Sequence, residues 1–199
     1  MSINDVKLFY VISCIVLGFI ILLPAFFALA PFPQGEEFSE LWLLDSNHMI
    51  ENGGFQVSVG KTFSVFLGMG NEMGTLKFYK VYVKLANSSD TLPNRADGSP
   101  SPLQPIFELN LFLKNHEEAQ EEIISSFEAV SFENNVCKIS RIVINNQEVP
   151  IDKILVWDEN NGGFYCQLIF ELWIFDKNTS DFQFHNRSVW FWLNLTTKV

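Results

Sequence analysis

The sequence predicts a mainly β protein, with one N-terminal transmembrane helix followed by an immunoglobulin-like antiparallel β-sandwich that includes one short helix. Three observations support this fold class. Residues 8–35 contain no Asp, Glu, Lys, Arg or His, most later segments alternate apolar and polar residues, and turn-forming residues separate those segments at short intervals. We therefore divide the chain into a cytoplasmic stub with an anchor, residues 1–35, and an extracytoplasmic sandwich domain, residues 36–199.

The uncharged run is long enough to cross a bilayer as one helix. About twenty apolar residues at ~1.5 Å rise per residue cover the ~30 Å hydrocarbon core of a membrane. A cleaved signal peptide is the alternative interpretation, but its apolar region usually holds only ~7–15 residues. We favour a retained signal anchor, in which Pro24 bends the last turns or ends the regular helix.

The flanks of the run predict its orientation. Lys7 lies before it, whereas Glu36, Glu37 and Glu40 follow it, and the positive-inside rule then places the N-terminus in the cytoplasm. Sequons for possible N-glycosylation lie only after the run, at Asn87, Asn178, Asn186 and Asn194. Because such sites are used on exported domains, we expect a single-pass cell-membrane protein whose C-terminal domain is extracytoplasmic.

The predicted domain is acidic. The chain has 13 basic and 23 acidic residues, and because Lys7 and Asp5 cancel, the domain carries the full net charge of −10. Such a surface repels the phosphates of nucleic acids and anionic lipid headgroups. We therefore exclude nucleic acid as a partner.

Two cysteines fall in the domain, and they leave two alternatives. An oxidising compartment permits a disulfide between Cys137 and Cys166, which would close a loop of about 30 residues and stabilise the fold by ~3–4 kcal/mol. Two buried free thiols are the other interpretation. Cys14 lies in the apolar run, where we interpret it as a small apolar filler.

Alternation predicts strands through the first half of the domain, over residues 38–44, 55–59, 62–69, 77–85 and 106–114. We expect the second and third of these to form a hairpin around Gly60 and Lys61. The long segment between the last two strands is rich in proline and low in hydrophobicity. Disorder is its favoured interpretation, and a functional loop is the alternative.

Residues 115–127 predict the one short helix of the domain. Asn115 can cap its N-terminus, Glu118 follows at the capping-box position, and further acidic residues suit the positive end of the helix dipole. The stripe expected to be buried comprises Ala119, Ile123, Ile124 and Phe127. We interpret the acidic cluster as a solvated helix face rather than a cation site, because no loop with metal-ligand spacing accompanies it.

The last third of the chain returns to strands, over residues 138–144, 151–157, 164–176 and 187–196. Asn145 and Asn146 provide a turn signal between the first two. The third strand is apolar on nearly both faces, as expected of a central strand covered on each side. A total of seven to nine strands with short turns predicts a two-layer, immunoglobulin-like sandwich.

The sequence contains no pattern of catalytic or metal-binding residues. His48, His116 and His185 occur singly, without the spacing of metal ligands, and there is no nucleophile elbow or phosphate-binding loop. Carboxylate pairs such as Glu171 and Asp176 have an uninformative spacing. We therefore expect that the protein is not an enzyme and has no catalytic residue, cofactor or bound metal.

Aromatic residues are the more suggestive feature, with 20 Phe and 5 Trp. On the last predicted strand, Val189 and Phe191 face the core, which leaves Trp190 and Trp192 on the opposite face as a possible interaction surface. Three interpretations stand. Another part of the protein covers these tryptophans, a glycan on Asn194 packs over Trp192, or the pair binds a protein partner or a sugar.

Several short motifs are spread over residues 38–197. They are FSELWLLD at 38–45, LGMGNE at 67–72, YVKLAN at 82–87, GFYCQLIFELW at 163–173 and FHNR at 184–187. Through these motifs the domain resembles archaeal membrane proteins of domain of unknown function sixteen-sixteen. The resemblance implies an extracytoplasmic, strand-rich domain on an archaeal membrane, and it supplies no established activity or catalytic residue.

These observations lead to three functional hypotheses. The first is a membrane-anchored structural or protein-interaction module that binds an envelope or membrane protein. The second is a carbohydrate-binding module that uses Trp190 and Trp192. The third, hydrolysis of envelope polymers, rests only on unpaired carboxylates.

Overall fold

The computed structural model of the chain describes residues 3–29, 36–49 and 55–196. These residues belong to two compact units, which divide between Glu37 and Phe38. The first unit contains one helix, α1 (Ile3–Leu29), and the second contains ten β-strands. Among the described residues α1 is the only helix, so the chain is mainly β, as predicted.

Helix α1 is long and apolar enough to span a membrane, and its segment from Lys7 to Pro24 has no side chain buried in protein. A signal sequence near an N-terminus has the same properties. The helix runs through Pro24 to Leu29, so this proline does not end it.

The strands of the second unit follow one another through short connections, except between the first and the second and between the fourth and the fifth. Their bounds are β1 (Phe38–Leu44), β2 (Phe55–Ser58), β3 (Thr62–Glu72), β4 (Lys77–Asn87), β5 (Phe107–Leu113), β6 (Glu117–Glu133), β7 (Val136–Ile144), β8 (Gln147–Asp158), β9 (Gly163–Asp176) and β10 (Asp181–Thr196).

The ten strands form a curled sheet that folds into two layers. The first layer has the order β1-β3-β6-β7-β8, and the second layer has the order β5-β4-β9-β10-β2. Strand β8 connects the layers, because Trp157 and Asp158 at its end pair with Phe164 and Gly163 of β9. Neighbouring strands are antiparallel except for β2, which runs parallel to β10. The predicted immunoglobulin-like β-sandwich is therefore confirmed, with one parallel pair.

The core lies between the layers and comes from the alternating positions that the sequence predicts. Residues that are fully buried there include Leu67, Ile123 and Phe127 from the first layer, and Val81, Val83, Leu168 and Phe170 from the second. Each such side chain stabilises the fold by about 1.5–3 kcal/mol relative to its exposed state.

The predicted hairpin around Gly60 is wrong. Strand β2 pairs with β10 in the second layer, whereas β3 pairs with β1 and β6 in the first. Gly60 has a φ of 73° and its amide donates to the Phe127 carbonyl at 2.8 Å. This glycine turns the chain from one layer into the other, so the local pattern identifies both strands but not their partners.

The predicted helix over residues 115–127 is also wrong, because most of this segment lies in β6. Ile123 and Phe127 are buried as expected, but Ile124 is 44% exposed, so burial does not follow the helical stripe. Pairing with β3 on one side and β7 on the other outweighs the helix propensity of Glu, Gln and Ala. Asn115 caps no helix, and its side chain accepts a hydrogen bond from the amide of Gly74 at 2.7 Å.

Buried polar groups join the two layers near the start of the domain. The Ser39 hydroxyl of β1 lies 2.7 Å from the Tyr79 hydroxyl of β4, which donates to Asn71 Oδ1 of β3 at 3.0 Å. Asn71 Nδ2 in turn donates to the carbonyls of Thr75 (2.9 Å) and Leu113 (2.8 Å). Burial raises the pKa of Tyr79, so its hydroxyl remains a donor at neutral pH.

Trp42 of β1 packs directly over the backbone of β3. It pairs with Gly68, and a Cβ atom at Gly68 would lie 1.9 Å from Trp42 Cε2. Gly70 lies against Glu40 in a similar way, since a Cβ there would lie 3.0 Å from the Glu40 carboxylate. The two glycines of the LGMGNE motif therefore make room for β1 side chains.

We expect Gly68→Ala to displace the Trp42 indole and to lower the free energy of unfolding by ~1–3 kcal/mol, the usual cost of overpacking. Urea unfolding of the full-length chain, followed by circular dichroism, measures this loss. In a Trp42→Ala background the same substitution should cost less, because the indole is gone. Equal costs in the two backgrounds would contradict the packing described.

Candidate functional site

The candidate site is the outer face of the second layer, the side that points away from the core. Alternate side chains of β5, β4, β9 and β10 lie in register across this face. A row of four phenylalanines occupies one end, a buried ion pair beneath the β4–β5 loop occupies the middle, and the two tryptophans predicted from the sequence lie toward the other end. Each part offers different chemistry.

The buried ion pair joins Lys84 of β4 to Glu171 of β9. Lys84 Nζ lies 2.7 Å from Glu171 Oε2, and the two side chains are 4% and 0% exposed. Lys84 Nζ also donates to the Ser101 carbonyl, and the Ser101 amide donates to Glu171 Oε1, both at 2.7 Å. Trp173 Nε1 adds a longer bond of 3.3 Å to Glu171 Oε2. Both carboxylate oxygens thus have partners, as a buried charge requires.

The β4–β5 loop, residues 88–106, is ordered, so the prediction of disorder is wrong. Besides Ser101, Arg95 holds it in place, since Arg95 Nη2 donates to the Ser188 carbonyl at 2.5 Å. Asn186 Nδ2 donates back to the Arg95 carbonyl at 3.1 Å. Low hydrophobicity does not imply disorder here, because polar bonds to β4, β9 and β10 fix the loop.

The two predicted tryptophans are partly exposed, Trp190 at 43% and Trp192 at 40%. Trp192 meets Tyr165 edge to face, with ring centres 6.4 Å apart, and both line a depression of ≈ 320 Å³. Trp190 borders a different depression of ≈ 280 Å³, together with Trp42 and Phe55. The tryptophans therefore share a face but do not form one continuous platform.

The Trp192 depression combines an aromatic wall with fixed polar groups. Hydrogen bonds from the side chain and the backbone amide of Asn161, at 2.7 and 3.2 Å, lower the pKa of the Asp158 carboxyl. Tyr165 Oη donates to the Asn161 carbonyl at 2.9 Å. A ring beside an ionised carboxylate and fixed amides can bind a cationic side chain of a partner, or the hydroxyl groups of a sugar.

The phenylalanine row crosses four neighbouring strands. Its members are Phe112 of β5, Phe78 of β4, Phe175 of β9 and Phe182 of β10. Phe78 stacks on Phe112 with ring centres 4.1 Å apart, and it meets Phe182 edge to face at 4.9 Å. Sequence reasoning missed this row, because only the strand register brings the four rings together. The available signal was the outward position of Phe112 in its alternating segment.

The four sequons differ in how the side-chain amide is held. In three of them Nδ2 donates within the domain, from Asn87 to the Ile154 carbonyl (3.2 Å), from Asn186 to the Arg95 carbonyl (3.1 Å) and from Asn194 to Tyr165 Oη (3.2 Å). Asn178 lies in the exposed turn between β9 and β10. A glycan on Asn194 would replace one of its two amide hydrogens, so the bond to Tyr165 could form only through the other.

Both cysteines of the domain are free, buried thiols in this structure. Burial raises the pKa of Cys137 to about 11 and raises that of Cys166 further, so neither is a ready nucleophile at neutral pH. The disulfide between them stays a prediction, which mass analysis with and without reductant tests.

The three histidines lie on different parts of the domain. His48 stacks on Phe66 with ring centres 4.0 Å apart, and His116 Nδ1 lies 2.5 Å from Glu72 Oε2. His185 is partly buried in β10. Within residues 3–29, 36–49 and 55–196, no group of three or more His, Cys, Asp or Glu side chains is arranged to hold a metal ion.

No protein-family model matches the chain, and no curated protein matches it in sequence. Among solved structures, it is similar to the CARDB domain of the PF1109 protein of Pyrococcus furiosus, solved in complex with di-metal ions. The identity is 10% and the TM-score 0.39, over 84% of this chain and 96% of that one. The PapD-like domain 7 of human CEP192 has 10% identity and a TM-score of 0.33, over 85% and 93% of the two chains.

A β-glucosidase of Listeria innocua in complex with gluconolactone is similar at 15% identity and a TM-score of 0.32. The match covers 84% of this chain but only 17% of the enzyme. Similarities at these TM-scores carry no information about the function of the outer face.

We expect Lys84→Met to lower the free energy of unfolding by ~3–5 kcal/mol, because it leaves the buried Glu171 carboxylate without its counter-ion. It should also speed tryptic cleavage after Arg95 in the loop. Lys80→Met is the matched control on the same strand and face, since Lys80 pairs with a partly exposed Glu108 and should cost ~1 kcal/mol or less. Equal losses for the two variants would contradict a special role for the buried pair.

Burial, with the nearby cations Arg187 and Lys77, lowers the pKa of His185 from its ordinary value of 6.5. The unfolded chain therefore binds a proton at a pH where the folded chain does not, and this residue's contribution to stability should fall as pH drops below about 6.5. His185→Gln should reduce that fall in unfolding measurements between pH 7.5 and 5. Lys77→Gln should raise the pKa of His185 in an NMR titration, and a His185 pKa above 6.5 in the parent chain would contradict the environment described.

Proposed function

We propose that this protein is a single-span, membrane-anchored β-sandwich whose domain lies outside the cytoplasm and binds another protein of the cell envelope or of a membrane complex. The apolar helix α1 supports the anchor. Lys7 before the helix, the acidic residues after it and the sequons in the domain support the orientation. The archaeal setting of the proposal follows from the family resemblance of the sequence motifs.

The observation that carries the interaction role is the exposure of Trp190 and Trp192 on an ordered strand of the outer face. Tryptophan loses little conformational entropy on binding and dominates many protein interfaces. Strand β10 pairs with β9 along the stretch that carries both tryptophans, and the ordered β4–β5 loop contacts β10 through Arg95. A partner therefore meets rings that are already held in position, which lowers the entropic cost of binding.

The charge of the domain suggests the chemistry of this partner. A net charge of −10 favours association with a surface that has a basic rim. Asp158, beside Trp192, offers an ionised carboxylate to an Arg or Lys of that rim. The proposed contact is thus an apolar or aromatic anchor on the partner with a neighbouring cation.

A photo-crosslinking residue at Val156, which is 68% exposed and lines the Trp192 depression, tests this proposal in intact cells. We expect a defined adduct with a membrane or envelope protein, and we expect Trp192→Ala to reduce its yield at least about tenfold, as for an interface hot spot. The same crosslinker at Lys138, an exposed position on β7, is the control and should give no such adduct. An adduct that does not depend on Trp192 would count against this surface.

Carbohydrate binding is the second candidate, and the pairing of Trp192 with Tyr165 above fixed polar groups favours it. Only one of the two predicted tryptophans belongs to that depression, so the ligand would be a short sugar and not a long chain lying over both rings. Titration with neutral oligosaccharides, read by the indole NMR signals, separates the two candidates. A sugar-dependent shift at Trp192 that survives Trp190→Ala would favour this second function.

A further inference from the structure

The phenylalanine row at the end of the outer face is not used by the proposed interaction surface. Phe112 is 64% and Phe175 is 37% exposed, and the neighbouring Leu76 is 59% exposed. Together with Phe78 they border a depression of ≈ 680 Å³. Exposed apolar surface of this kind on an exported domain favours aggregation unless something covers it.

The same depression is lined by Asn178, the acceptor of the sequon Asn178-Thr179-Ser180. Asn178 follows Phe175 by three residues, in the turn that joins β9 to β10. Its backbone amide donates to Asp176 Oδ1 at 2.9 Å, which orders the turn, and its side chain is exposed. Within the described part of the chain, the other three sequon amides already donate to protein oxygens, whereas no such bond from Asn178 Nδ2 is present.

We infer that Asn178 carries an N-linked glycan whose first sugars pack on Phe175 and Phe112 and cover the phenylalanine row. This inference rests on the proposed extracytoplasmic location of the domain. Sugar rings have apolar C–H faces, and a sugar tethered three residues from an aromatic ring has a high effective concentration over it. The glycan would thereby shield apolar surface and stabilise the β9–β10 turn.

The modification requires an oligosaccharide linked to a lipid phosphate as its donor. The Asn178 amide nitrogen forms a bond to C1 of the first sugar and loses one proton to a base of the membrane transferase. The C1–O bond to the donor breaks, and its electron pair leaves on the oxygen of the lipid phosphate. No change of oxidation state occurs, and the product is the glycosylated amide with the released lipid phosphate.

The first experiment is peptide mass analysis of the full-length chain made in a host that N-glycosylates exported proteins. We expect a glycan at Asn178 and none at Asn87, Asn186 or Asn194, whose side-chain amides donate to protein oxygens. An empty Asn178 with an occupied Asn87, Asn186 or Asn194 would overturn this inference but would support the extracytoplasmic location. A chain inserted in the membrane with no occupied sequon and a protease-protected C-terminus would overturn both.

The second experiment compares the melting temperatures of the glycosylated chain and of the same chain after enzymatic removal of the glycan. We expect removal to lower Tm by about 2–4 °C. In a Phe175→Ala background removal should have no effect, whereas in a Phe66→Ala control, on β3 of the first layer, it should keep its full effect. An unchanged Tm in the parent chain, or the same shift with and without Phe175, would overturn the packing.

An NMR measurement tests the packing of the glycan on the phenylalanine row without relying on stability. Contacts between sugar protons and the Phe175 and Phe112 rings should give nuclear Overhauser effects in the glycosylated chain. Their absence from an occupied Asn178 would overturn the packing on the row. A crosslinker at Phe112 that joins two copies of the chain, or another protein, in the glycosylated material would overturn it as well.

Discussion

The outer face of the second layer depends on one buried interaction, the ion pair between Lys84 and Glu171. Removing two charges from water is costly unless each of them makes enough hydrogen bonds. Here the Ser101 carbonyl accepts a bond from Lys84, and the Ser101 amide donates one to Glu171. The pair therefore does more than join β4 to β9. It fixes a nineteen-residue loop that has little apolar surface of its own, and it separates the phenylalanine row from the tryptophans.

The strands themselves were predictable, because alternation is a local property of the sequence. The segment over residues 77–85 corresponds to β4, and the outward position of Trp190 and Trp192 follows from the same period. The strand with which each strand pairs was not predictable. The run of Glu, Gln and Ala in β6 favours a helix in isolation, but pairing with β3 and β7 makes it a strand. In the same way, β2 pairs with β10 of the second layer and not with β3, its neighbour in the sequence.

The candidate site, too, was only partly predictable from the sequence. The ordered loop depends on a bond between residues 87 positions apart in the sequence, and the phenylalanine row depends on the register of four strands. Neither feature can be predicted from a short stretch of the sequence. Trp192 was identified correctly as an outward residue, but its neighbours Tyr165 and Asp158 come from other strands, so the depression that they share needed the fold.

The position of Ser39 has a mechanical consequence. The chain enters the sandwich at β1, so tension applied through the N-terminal segment acts first on this strand. Ser39, its second residue, is tied to Tyr79 by its hydroxyl and to Arg187 by its carbonyl, at 2.7 and 3.2 Å. Force on the N-terminal end of β1 therefore loads both sheets at once instead of peeling away a single strand.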